Sequence, residues 1–204
     1  ILGAKCAYCK KSFGWRHFFV EILMGFSFLG VFWYYGYSWT SLEYLILVVG
    51  LITVSMIDLD LRIIPDKISL PGIVIGLLGA AINPERAFLD SFLGVLLGGG
   101  VLLAIAYLYF ALKKVDGMGG GDIKLLAWIG SVLGVKSILF VLFFSSVVGS
   151  LVGIFFMIFR KEGLKSSLAF GPYLALAALV YLFWGPEIIN WYFGFSFPWL
   201  TPSM

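Results

Sequence analysis

Charge is what this chain has least of: of 204 residues only 12% are Asp, Glu, Lys or Arg, and 61% are hydrophobic. Ordinary soluble domains carry about 25% charged residues, so a surface built from this composition belongs in lipid rather than in water. Histidine is nearly missing. The one His, His17, sits beside Arg16 and far in sequence from the acidic segments described below. That leaves no Ser-His or other His-based catalytic set and places His17 as an interfacial residue near the headgroups. Cysteine is scarce too: Cys6 and Cys9 alone cannot make a disulfide framework, and their spacing reads first as half of a metal site. The 14 Lys and Arg form short clusters between apolar runs and no stripe, so no nucleic-acid partner is expected despite a net charge of +3. The chain opens on Ile with no basic leader ahead of a short apolar segment, so no cleavable signal peptide is expected, and an upstream segment is expected to be missing.

What is present in abundance is apolar length. Runs near 18–37, 43–57, 89–112, 136–159 and 168–184 approach or reach the ~17–25 residues that cross a hydrocarbon core as helix. Two shorter, Gly-bearing runs near 70–82 and 123–135 follow acidic loops, and short spans can be completed by polar flanks or by burial against other helices. The expectation is an all-α, polytopic membrane helix bundle of about seven transmembrane helices, with the lipid bilayer as its solvent. Basic residues resist translocation. With a cytoplasmic N-terminus, twelve of the Lys and Arg fall on the inner side and only Arg86 and Lys136 on the outer. Removing one span would scramble that split, and it puts Asp58, Asp66, Asp116 and Asp122 on one face. Three regions follow: 1–17 as a cytoplasmic Cys-x-x-Cys segment, 18–185 as the transmembrane domain, and 186–204, aromatic and without a basic residue, as a periplasmic-side interfacial tail.

Two acids stand where acids are costly. Asp58 ends an apolar run in Ser55-Met56-Ile57-Asp58-Leu59-Asp60-Leu61-Arg62-Ile63-Ile64-Pro65-Asp66, and Asp122 begins the next suitable one in Gly117-Met118-Gly119-Gly120-Gly121-Asp122-Ile123-Lys124. Such a group tends to pair, to face a wet cavity or to take up a proton. Two carboxylates held together share one proton, and the pair can then take a proton from water and polarise a scissile carbonyl. On residue chemistry alone two readings stand for Asp58 and Asp122: a catalytic pair, or interfacial charges near helix ends. Asp60 and Asp66 read as loop charges, with Asp66 after Pro65 suited to cap the next helix, and Asp116 reads as a partner for Lys113 or Lys114.

The glycines from Gly117 to Gly121 permit backbone approach that side chains would forbid, so a substrate strand could lie against them. A phosphate cradle is disfavoured, because the Gly-Lys-Ser/Thr ending is missing and an acid follows. Gly94, Gly98, Gly99 and Gly100 either let neighbouring helices approach or bend a long span.

At these residues the chain resembles the type IV prepilin peptidases, within the GxGD group of intramembrane aspartyl proteases. Asp58 followed by Pro65-Asp66 is similar to the family's first aspartate motif, the segment Gly117–Leu125 to its second, and Phe170-Gly171-Pro172-Tyr173-Leu174 to a third signature otherwise readable as a Pro-kinked helix. The resemblance implies Asp58 and Asp122 as the catalytic pair, with Asp60, Pro65, Asp66, Gly119, Gly120, Gly121 and Lys124 in support. It also implies a prepilin or pseudopilin precursor as partner, cleaved after a leader glycine at the cytoplasmic face of the bacterial inner membrane. No cofactor is needed for that proteolysis.

Many family members also methylate the new N-terminus with S-adenosylmethionine and carry two Cys-x-x-Cys pairs; this chain shows one, Cys6 and Cys9, which reads as half of a tetrahedral zinc site or as free cytosolic thiols. No Gly-rich strand-to-helix motif for that cofactor is present. Rival readings are an archaeal-type preflagellin peptidase, which lacks the cysteine region; a proton or cation transporter, against which the lack of an inverted repeat counts; and a membrane scaffold without catalysis.

Overall fold

A computed structural model describes residues 15–114, 119–160 and 169–196, and these form seven α-helices. They are α1 (Trp15–Tyr35), α2 (Trp39–Leu61), α3 (Asp66–Ile82), α4 (Phe88–Lys113), α5 (Gly120–Leu133), α6 (Val135–Arg160) and α7 (Gly171–Ser196). No strand occurs among the described residues. Five helices, all but α3 and α5, are long and apolar enough to cross a bilayer. Their outward faces carry bare large apolar side chains such as Phe26, Trp33, Leu103, Leu139 and Phe143, which only lipid can cover at no cost. The chain is a multi-pass membrane protein.

The two short helices explain the layout. With 14 residues, α5 spans ~21 Å, well short of a ~30 Å hydrocarbon core. It survives because it never meets lipid: Leu125 to Val132 are buried without interruption, and α2, α3, α4, α6 and α7 all pack on it. Its backbone polar groups are therefore shielded by protein. Trp128 fills the slot between α2 and α3, where a Cβ on Gly50 or on Gly72 would run into the indole. Of the four α4 glycines, Gly94 and Gly98 mark the crossing with α5, since a Cβ there would strike the Gly130 and Leu126 carbonyl oxygens, whereas Gly100 faces open space. Close approach is the reading that holds for the first two.

Helix ends differ from the sequence expectation in two places. Helix α2 starts at Trp39, capped by the Ser38 hydroxyl, which accepts the Ser41 N–H at 3.1 Å. That places Glu43 inside the helix, where it pairs with Arg86 of the α3–α4 loop. Helix α7 runs through Pro186 to Ser196 instead of ending near Trp184. A proline there removes the N–H that would bond the Leu182 carbonyl. The Tyr35 hydroxyl of α1 donates to that same carbonyl, so the break in the ladder is bridged by a neighbouring helix. Replacing Tyr35 with Phe should lower stability by ~1 kcal/mol, read as a lower thermal midpoint in detergent; an unchanged midpoint would mean that the carbonyl finds another donor.

Candidate active site

The last turn of α2 brings Asp58 to one end of the bundle and buries it, with 5% of its surface exposed. The helix stops there because Arg62 turns into the left-handed region (φ 55°), its N–H returning to the Asp58 carbonyl at 2.9 Å. Residues 63–65 then run without helix to Pro65, the N-cap of α3. Ile64 in this link is wedged against two other helix starts. A Cβ on Gly121 would collide with it, and one on Gly171 would lie 3.1 Å from its Cδ1.

Helix α7 begins at this point. Its first residue, Gly171, donates its backbone N–H to Asp58 Oδ2 at 3.0 Å, one of the four N–H groups that a helix start leaves without an internal partner. The Phe170 carbonyl accepts from Tyr173 and Leu174 at 3.1 and 3.2 Å, closing the first turn. Pro172 sits in that turn, where no N–H is needed, so it starts the helix and does not kink it. Asp122 lies in the first turn of α5, half-buried, its N–H bonded to the Gly119 carbonyl at 3.2 Å. It is within electrostatic reach of Asp58. Each carboxylate thus meets the positive end of a helix dipole.

The remaining expected residues fall around this pair. Lys124 donates to Asp66 at 2.6 Å, tying the starts of α5 and α3. The pair is about half exposed, so its contribution to stability is small, about 0–1 kcal/mol, and its effect is on geometry. Asp66 is therefore the first residue of α3 and a partner of Lys124; Pro65 holds the cap position and no side-chain cap bond forms. Asp60 is exposed in the last turn of α2. Gly119 caps α5, Gly121 is required by Ile64, and the space beside Gly120 is open. Asp116, Gly117, Met118, Cys6 and Cys9 lie outside the described residues. Among the described residues no group of three or more His, Cys, Asp or Glu could hold a metal ion. Sequence reasoning missed Gly171 as the partner of Asp58 and Ile64 as the side chain wedged against Gly121 and Gly171; the Phe170–Leu174 signature was the only pointer to the former.

Fold and site together define a multi-pass helical membrane protein with two carboxylates, Asp58 and Asp122, at one end of the bundle. The type IV leader peptidase family matches residues 45–154. Curated relatives named prepilin leader peptidase/N-methyltransferase match nearly the whole chain. The one from Stutzerimonas stutzeri is 34% identical over 195 residues, covering 96% of this chain and 68% of the relative. That from Pseudomonas aeruginosa is 32% identical over 195 residues, covering 96% and 67%, and that from Legionella pneumophila 32% over 198, covering 96% and 68%. No solved structure matches. The chain belongs to the type IV leader peptidase family.

Proposed function

We propose that the protein is a membrane aspartyl endopeptidase that removes the basic leader of prepilin or pseudopilin precursors, with Asp58 and Asp122 as the reacting pair. The observation that carries this is that two acids 64 positions apart in sequence come within electrostatic reach of each other at one end of the bundle, one of them held by the Gly171 N–H. In this reading the carboxylates share a proton; the ionised member takes a proton from the attacking water while the protonated member polarises the scissile carbonyl. The open space at Gly120 gives the substrate backbone room beside Asp122.

Orientation follows from the basic residues. The Asp58 end is taken as cytoplasmic because the loops there carry twelve of the 14 Lys and Arg, with residues 186–204 toward the opposite face. The relatives' shared name includes N-methyltransferase, and we extend that second activity, with S-adenosylmethionine as methyl donor, to the intact protein. Zinc belongs in the same reading to Cys6 and Cys9 with two further ligands.

The test is cleavage of a purified prepilin by the protein in liposomes, with N-terminal sequencing of the product. A product starting just after the leader glycine supports the proposal, and no cleavage at any pH counts against it. The rate should follow a bell across pH, since the pair works only when it holds one proton; its two limbs belong to the dyad and not to either aspartate. A flat profile would rule out a shared proton.

A further inference from the structure

The opposite end of the bundle holds a second polar site, ~22 Å along α2 from Asp58, since Glu43 stands 15 positions before it in the helix. Its floor is a fixed network. Arg86 pairs with buried Glu43, donates to the Ser91 hydroxyl at 2.8 Å and to the Ser131 carbonyl at 2.6 Å. Asn83 donates to Thr40 and Thr40 to Glu85, each at 2.8 Å. Above this floor opens a cavity of about 350 Å³, lined among others by Glu85, Asp90, Lys136, Tyr44 and Tyr181.

The lining carries both signs of charge, on Lys136, on Asp90 and on Glu85, which also accepts from the Thr40 hydroxyl of the network. Among the described residues Lys136 has no ion-pair partner. Asp90 accepts the Val135 N–H at 3.3 Å, and among the described residues neither it nor Glu85 has an ion-pair partner. Two carboxylates and two phenol rings in one lining are groups that take up an ammonium, and the lysine is one that takes up a phosphate. Below the cavity the same helix faces turn apolar. On α4, Asp90 is followed at helical spacing by exposed Leu93 and Leu97; on α6, Lys136 is followed by exposed Leu139 and Phe143. Both helices start at the cavity and descend from it packed together, so a headgroup seated there has a greasy path for its tails.

We propose that this cavity binds the headgroup of a phospholipid bearing a primary ammonium and a phosphate, phosphatidylethanolamine in kind, with its acyl chains along the α4 and α6 faces. The bound lipid would brace the α5–α6 corner at Gly134, and through α5 the helix that carries Asp122. The site is independent of the peptidase reading.

The experiment compares thermal midpoints of the full chain in nanodiscs of phosphatidylcholine alone and with phosphatidylethanolamine or phosphatidylglycerol added, with bound lipid read by native mass spectrometry. The expected result is a rise of several degrees and a retained lipid with phosphatidylethanolamine only. Glu85→Gln with Lys136→Gln, both exposed in the protein as it stands, should fold normally in phosphatidylcholine and lose the rise. Equal midpoints in all three lipids, or a rise that survives the double substitution, would overturn the proposal. So would an equal rise from free phosphoethanolamine in phosphatidylcholine discs, which would make the ligand a soluble zwitterion.

Discussion

Asp58→Asn and Asp122→Asn should each abolish prepilin cleavage, with a loss of ~10³-fold or more at equal folded protein. The size follows from what the change removes. An asparagine still accepts the Gly171 N–H through its carbonyl oxygen, so the α2–α7 contact survives and the helix ends stay in place. What vanishes is the ability to hold and pass a proton. Since the two acids work as a unit, the double substitution should be no worse than either single one. The measurement is the initial cleavage rate in liposomes alongside thermal midpoints for all four proteins. A single variant cleaving at the parental rate would remove that aspartate from the chemistry, and the next acids to test are Asp60, Asp66 and Asp116.

The second largest effect is expected at a residue that does no proton transfer. A Cβ on Gly171 would sit 2.7 Å from Asp58 Oδ2 and 3.1 Å from Ile64 Cδ1, and neither neighbour has much room to yield, one being buried and the other wedged. Gly171→Val should therefore push the Asp58 carboxylate off the backbone N–H and cut kcat by ~10²-fold, since small displacements of a reacting group are expensive. KM should change little, because the substitution acts on the Asp58 carboxylate and its helix contact. Gly171→Ala should fall between the parent and the valine variant. Parental kcat in the valine variant would show that the Gly171 bond does not position Asp58.

The two acidic segments were legible because charge in an apolar run is costly and conspicuous; Asp58 and Asp122 needed no partner to be noticed. Seven helices and their order were legible from apolar length and from the one-sided Lys and Arg. Contacts between distant positions were not. Gly171 reaches Asp58 across 113 residues and Tyr35 reaches Leu182 across 147, and nothing local in either segment announces its partner. Pro186 illustrates the cost of reading locally: it reads as the end of a span, whereas α7 runs through it and the carbonyl it leaves unbonded receives a hydroxyl from α1. Arg86, counted as one of two outer-face cations, is better described as the centre of a buried network that joins α2, α4 and α5.

Helix α5 also bears on how the chain is made. Fourteen residues with Asp122 and Lys124 in the first turns give a segment too short and too polar at its start to leave the insertion machinery for lipid unaided. The helix synthesised just before it, α4, is long and strongly apolar, and its Gly94 and Gly98 accept the α5 backbone at Gly130 and Leu126 without a side chain between. On these grounds the reluctant segment should enter the bilayer as one arm of a hairpin whose other arm, α4, is already anchored. Bulk added at Gly94 would thus act first on biogenesis, before any finished enzyme existed to be inactivated.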